Sequence, residues 1–446
     1  MTEGAILPKL VKFAVPLILS SVLQLLFNAA DIVVVGRYAG DNSLAAVGST
    51  SSMVNLLVNF FLGLGVGCNV VAANFLGAGK KDELNRTVHT TIVLGVIGGI
   101  LLTIIGVCFS RQILILMASP ADVLPLSTLY LKVFFGGITA TLVYNFGAAI
   151  LRAKGDTKRP LYILLVAGVI NVILNLIFVI FCHMDVAGVA FATVLSQVFS
   201  AICVIWILCH EEDEFRLDFR KLRIDRAIFP RIIKIGIPAG FQAMLFSFSN
   251  MLIQSNVNSF GAVMVAGNSA AQSIEGFIYI SMNSLAQGTL TFAGQNMGAH
   301  KFSRIKRLVV IAETVVTIVG LVLGMTVLFF GPRLLGIYST NGGVIEAGML
   351  RLNVILLTYF TCGMMDTMAS AIRGIGHSVM PMIVTLVGAC GLRIVYLFTF
   401  FQIPRFHSFQ SIFYSYPISW TVTFLFLTAS FVWVMKKIEK ENPKQA

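Results

Sequence analysis

Twelve apolar stretches of about twenty residues or more dominate this chain: 13–35, 44–72, 88–108, 125–150, 161–182, 187–209, 235–257, 262–290, 308–330, 347–371, 381–401 and 412–435. Roughly twenty apolar residues in helical conformation cross a hydrocarbon core of about 30 Å. A spanning segment must satisfy its own backbone hydrogen bonds, so runs of this length specify helices. Composition excludes a water-soluble alternative. Hydrophobic residues make up 57% and charged residues 12% of the 446, against about 45–50% and 25% in soluble domains. The expected fold is an all-α membrane protein with twelve transmembrane helices. The 7 cysteines show no paired metal spacing, and the 6 histidines are scattered, which leaves redox and zinc chemistry without support.

The net charge of +12 would suggest nucleic acid in a soluble protein. Here 25 of the 32 Lys and Arg fall in segments that are cytoplasmic if the N-terminus is cytoplasmic. That bias predicts both termini inside and a multi-pass protein of the cell membrane, with no nucleic-acid partner. The first stretch runs on through Asn28 and Asp31 without a small-residue cleavage site, so it reads as a span rather than a cleaved signal.

The chain also repeats itself. LVKFAVP at 10–16 matches IIKIGIP at 232–238, a shift of 222. At a shift of 221, ANFLGAGK at 73–80 lies over GQNMGAHK at 294–301, and ILRAKGDTKRP at 150–160 over AIRGIGHSVMP at 371–381. Apolar resemblance alone does not hold one register through three loops, so the halves are a duplication. Each half carries six spans, an even number, and both therefore share one orientation. This predicts two six-helix lobes related by a pseudo-twofold axis along the membrane normal, an arrangement in which transporters bind substrate at the repeat interface. The expected boundaries are an N-lobe at 1–209, a charged cytoplasmic linker at 210–234 and a C-lobe at 235–446 ending in a short cytoplasmic tail.

Ionisable groups inside spans cost at least about 2.5–3.5 kcal/mol on insertion scales and demand a reason. Asp31 lies in the first span with Asn28 one turn before it; Arg37 beyond the span offers a structural ion pair as the alternative to ion or proton binding. Asn171 and Asn175 in the fifth span share a helix face, as interhelical glue or as ligands. With Thr193 of the sixth span they make an oxygen-rich set of net charge −1, suited to a hard cation such as Na⁺, or to H⁺. Glu275 and Asp366 are candidates for a substrate or proton site in the C-lobe. Glu313 is expected to pair with Lys306 or to snorkel. Arg393 is the one clear base within the spans and is expected to be structural. GLGVG at 63–67 superficially suggests a nucleotide loop, but its place inside a span favours close helix packing through small residues.

The first span with its kink-forming Pro16 and Asp31, LGAGK at 76–80 with its echo MGAHK at 297–301, ILRAKGDTKRP with its echo, and the Asn171/Asn175 pair together resemble the multidrug and toxic compound extrusion (MATE) transporters of prokaryotic type. The resemblance covers all twelve spans. It implies a cation-coupled antiporter, driven by Na⁺ or H⁺ and needing no other cofactor, that exports amphipathic, often cationic small molecules. It also implies a cation pocket at Asp31, Asn171, Asn175 and Thr193. The second fifth-span position is Asp in some relatives and Asn175 here, which lowers the charge of the pocket. Other relatives carry a seventh-span Glu, at a position that falls near Phe246. The chain is expected to act as a monomer. Two other functions compete. A flippase for lipid-linked precursors would call for a strongly cationic cavity. A membrane-embedded enzyme would need a catalytic constellation, and the sequence shows none.

Overall fold

The computed structural model describes residues 1–116 and 122–442. Among the described residues every regular element is a helix. The first half contains α1 (Ile6–Tyr38), α2 (Asp41–Gly77), α3 (Lys81–Leu116), α4 (Leu124–Gly136), α5 (Ile138–Lys154), α6 (Lys158–Leu176) and α7 (Asp185–Cys209). The second contains α8 (Phe229–Asn258), α9 (Ala262–Gly298), α10 (Phe302–Tyr338), α11 (Gly342–Ile355), α12 (Tyr359–Gly374), α13 (Val379–Thr385), α14 (Leu392–Phe398) and α15 (Phe409–Glu441). Two spans are bent pairs: α4 and α5 meet at 46°, α11 and α12 at 51°. A π-helical turn, Ile177–Phe181, extends α6, and another, Leu386–Gly391, joins α13 to α14.

Among the described residues, nine helices are long and apolar enough to cross a membrane, or eleven when each bent pair counts as one span. The twelfth expected span is α9, which is not among them. Its sequence carries Asn268, Glu275, Asn283 and Gln287, and twenty-one of its 37 residues are buried. Asn268 and Glu275 are turned into protein rather than lipid, and such polar positions lower the hydropathy of a helix without forbidding a span.

The chain forms two compact units, Leu19–Gly240, here the N-terminal unit, and Met1–Ile18 with Phe241–Ala446, here the C-terminal unit. The first eighteen residues pack with the second half of the chain. The Phe13 and Phe292 rings meet edge to face at 5.9 Å, and Arg304 donates to the carbonyls of Met1, Glu3 and Gly4 at 2.9–3.2 Å.

The backbone carries the duplication as well. Gly155 and Gly376, 221 residues apart, both end a helix in the left-handed region (φ 102° and 92°), as do Gly79 and His300 (φ 67° and 56°). Glycine reaches this region without a Cβ penalty, which is why a turn of this shape selects it at three of the four positions. Close packing of small residues is equally direct. A Cβ on Gly63 would stand 2.2 Å from the Gly240 nitrogen, and one on Gly67 would stand 2.4 Å from the Ile232 carbonyl. GLGVG is therefore the surface on which α2 meets the start of α8.

Residues 210–234 form an ordered clasp within the N-terminal unit. Three polar residues along one side of α3 hold it. Asn85 donates to the Glu214 and Arg216 carbonyls at 3.1 and 3.0 Å. The Asp218 amide donates to His89 Nε2 at 3.0 Å, and the Asp225 amide to Thr90 Oγ1 at 3.1 Å. Because His89 Nε2 accepts, its proton sits on Nδ1, which donates to the Asn85 carbonyl at 2.7 Å. Lys81 pairs with Glu214, and Lys154 reaches Asp213 at 2.6 Å. The Lys81 hydrogen bond holds Glu214 below the ordinary carboxylate range, and the Ala227 backbone amide does the same for Asp225. Carboxylates whose folded values are depressed stabilise the fold above their ordinary value of about 4, and that contribution disappears as pH falls through the depressed values. Protection of the Asp225 amide from hydrogen exchange should therefore be constant near neutrality and collapse below about pH 4. Unchanged protection in acid would show that these carboxylates do not hold the clasp.

Candidate functional site

The polar residues singled out in the first, fifth and sixth spans converge in the N-terminal unit. Local packing sets α1 against α6. Gly168 lies under the Phe27 ring, so closely that a Cβ there would fall 1.7 Å from a ring carbon. Asp31 is one turn beyond Phe27, and Asn171 and Asn175 are one and two turns beyond Gly168. This contact brings the carboxylate to the amides. Asn175 Nδ2 donates to Asp31 Oδ1 and lies 3.3 Å from Asn171 Oδ1. Asn171 Nδ2 donates to Thr193 Oγ1 at 3.4 Å, and the Thr193 hydroxyl donates to the Val189 carbonyl at 3.0 Å. One chain of hydrogen bonds thus links α1, α6 and α7.

Asn175 is fully buried, and its Oδ1 makes no hydrogen bond among the described residues. A buried oxygen left without a donor costs about 1–3 kcal/mol, and it is the atom type that a hard cation or a donor would engage. Arg37, the alternative partner for Asp31, is exposed and forms no ion pair with it among the described residues. The site opens on a cavity of about 500 Å³ whose lining includes Gln24, Asn28, Asn55, Asn145 and Gln197 beside Phe27, Tyr130 and Phe134. Asp31 is the one charged residue among the described residues of that lining.

The C-terminal unit departs from expectation. Glu275 is held in a two-pronged ion pair: Arg351 Nε donates to Oε1 at 2.8 Å and Nη2 to Oε2 at 2.7 Å. Arg351 Nη1 donates to Asn268 at 2.8 Å, and both charged side chains are buried, 4% and 6% exposed. Both carboxylate oxygens of Glu275 are taken, which argues for a structural pair rather than a group free to bind substrate or exchange a proton. Arg351 is also a second base within the spans, alongside Arg393. Asp366 on α12 lies beside Tyr279 and Asn283 of α9, where Asn283 Nδ2 donates to the Tyr279 hydroxyl at 3.5 Å. Glu313 does not pair with Lys306, which instead reaches Glu439 at 2.6 Å. Seven residues on one helix are about 10 Å apart along the axis, and Glu439 is closer. Neither carboxylate oxygen of Glu313 has a hydrogen-bond partner among the described residues. Pro16 sits inside α1, which continues through it from Ile6 to Tyr38.

The MatE family model matches twice, over residues 16–177 and 238–399. The chain belongs to the MATE transporter family. Its two matches are offset by 222 residues, the interval that separates LVKFAVP from IIKIGIP. The chain is similar to a probable multidrug resistance protein, YoeA, of Bacillus subtilis, 26% identical with 96% of this chain and 94% of the relative covered. It is also similar to a probable multidrug resistance protein, NorM, of Thermotoga maritima, 23% identical with 86% and 84% covered. Among solved structures, a MATE protein in complex with MaL6 superposes with a TM-score of 0.91 at 20% identity, over 98% of both chains. That likeness establishes the helical fold, and the family match makes the chain a multi-pass membrane transporter.

The Glu275–Arg351 pair and the Asp31–Asn175–Asn171–Thr193 network are expected to separate under mutation. Removing one partner of a buried pair leaves an uncompensated charge and costs about 3–5 kcal/mol. Glu275→Gln should therefore lower thermal stability strongly, whereas Asn175→Ala should lower it less and change ion-dependent stabilisation instead. Melting curves titrated with Na⁺ and with pH check this. A stable Glu275→Gln protein with altered ion dependence would return Glu275 to the transport site.

Proposed function

We propose that this transporter is a cation-coupled antiporter that exports amphipathic, mainly cationic compounds by alternating access, with Na⁺ or H⁺ entering in exchange. The observation that carries this reading is Asp31, the one charged residue in the lining of the N-terminal unit's cavity, hydrogen-bonded by Asn175 and linked through Asn171 to Thr193. A single carboxylate among neutral oxygens suits one monovalent cation at a time. If coupling ion and cargo compete for that charge, they cannot leave together, and competition of this kind is the basis of exchange. Carboxylate, amide and hydroxyl oxygens fit Na⁺ in type; Asp31 alone suffices for H⁺. The names of the relatives, which speak of multidrug resistance, agree with small-molecule export. We place the protein in the cell membrane with both termini cytoplasmic, on the distribution of Lys and Arg.

Asp31→Asn keeps size and hydrogen bonding but removes the charge. It should reduce ethidium efflux from vesicles by tenfold or more under separately imposed Na⁺ and proton gradients, with normal expression. The gradient that drives the wild type identifies the coupling ion. Efflux by Asp31→Asn at the wild-type rate would overturn the proposal.

The cargo's charge follows from the same cavity. A carboxylate in a low-dielectric lining attracts cations more strongly than it would in water, and the aromatic lining adds cation–π attraction of about 0.5–2 kcal/mol for each ring engaged. In inverted vesicles, a lipophilic cationic dye should accumulate faster than a size-matched anion that lacks any cationic centre. The reverse order, or competition by lipid pyrophosphates but not by organic cations, would favour the flippase reading.

A further inference from the structure

The position in the C-terminal unit that repeats the cation pocket carries the opposite charge. Asn28 lies twelve residues after Pro16 on α1, and Asn250 lies twelve after Pro238 on α8. The Asp31 position falls on Ile253, which is buried. On the other partner helix, Asn171 follows Pro160 by eleven residues and Arg393 follows Pro381 by twelve. The π turn at Leu386–Gly391 lies between Pro381 and Arg393. A π turn takes up an extra residue relative to α-helix, which brings Arg393 to the place of Asn171. The contacts agree with this register: Arg393 Nη1 donates to Asn250 at 3.2 Å and Nε to Ser419 at 3.0 Å.

Arg393 has no exposed surface. Among the described residues no carboxylate forms an ion pair with it: Glu275 is taken by Arg351, and Asp366 acts on it only through space. Its charge faces rings instead, with Tyr416 at 4.3 Å, Phe246 at 5.1 Å and Trp420 at 5.6 Å from the guanidinium carbon. Two buried donors in this cluster, Arg393 Nη2 and Trp420 Nε1, have no acceptor among the described residues. A permanent positive charge, two unmade N–H bonds and flanking aromatic faces define what is missing: an anionic oxygen acceptor on an aromatic or lipophilic molecule.

We propose that Arg393 and Trp420 form a carboxylate-recognising subsite, so that the preferred cargo bears a carboxylate in addition to its cationic centre. The inference deepens the export reading by naming a second charge on the cargo. It requires α14 and α15 to part far enough to admit a carboxylate, since the guanidinium is enclosed here.

The test uses the full-length protein in detergent and two probes, a zwitterionic rhodamine with a free carboxylate and its methyl ester, with binding read by fluorescence anisotropy. The free acid should bind the wild type about tenfold more tightly than the ester, the size of effect expected of a charge-assisted hydrogen bond. Arg393→Gln should remove that preference, raising the Kd of the acid about tenfold and that of the ester less than about twofold. Arg393→Lys should retain part of the preference. Trp420→Phe, which deletes one donor and keeps a ring, should weaken only the acid, and it carries the test if Arg393→Gln fails to fold. Equal loss of both dyes, or an unchanged acid-to-ester ratio in folded variants, would make Arg393 a packing cation and overturn the subsite while leaving export intact. Failure of the wild type to bind either dye would overturn both readings.

Discussion

The hydrocarbon of a bilayer offers no hydrogen-bond partner, so every polar group in a span must find one within the protein. Almost everything specific about this molecule follows from how its few intramembrane charges meet that demand. Asp31 takes an amide from Asn175. Glu275 takes both arms of Arg351. Arg393 takes two neutral acceptors and three aromatic faces. These solutions differ in what they leave open. The Glu275–Arg351 pair is saturated on the carboxylate side. The Asp31 network leaves Asn175 Oδ1 unused beside a cavity, and the Arg393 cluster leaves two N–H groups unused. Unsatisfied polar atoms in an otherwise well-bonded interior mark the places where function is to be sought.

Duplication supplied one frame and divergence filled it twice. The left-handed turns at 79/300 and 155/376 and the helix prolines at 16/238 recur at a near-constant interval. The side chains hung on that frame do not recur. The first half places a carboxylate where the second places isoleucine, and the second places a guanidinium where the first places an amide. The two halves thus share a helical scaffold while carrying chemically distinct polar clusters.

The spans and the repeat were legible in the sequence because both are long-range regularities: apolar runs matched to a bilayer, and one offset kept through three loops. Even α9, which falls short of a stricter hydropathy criterion, was legible as the apolar stretch 262–290. The hydrogen-bonded cluster of Asp31, Asn175, Asn171 and Thr193 was legible because polar residues are rare in spans and Asn171 and Asn175 fall four apart. What the sequence hid was pairing across distance. Arg351 is 76 residues from Glu275 on a helix that breaks before α12, and nothing local links them. The clasp at 210–234 was hidden for another reason: Asn85, His89 and Thr90 bind its backbone, and backbone groups leave no mark on composition. Nor does an apolar run announce that the first eighteen residues pack with the second half.

The account stands on one claim, that coupling ion and cargo compete for the single charge of Asp31. Reciprocal linkage makes the claim quantitative. The Kd of a lipophilic cationic dye, measured on the purified protein across Na⁺ concentrations at fixed pH and across pH at fixed Na⁺, should rise in direct proportion to one of the two ions once that ion saturates the site. A dye affinity indifferent to both Na⁺ and pH would contradict it.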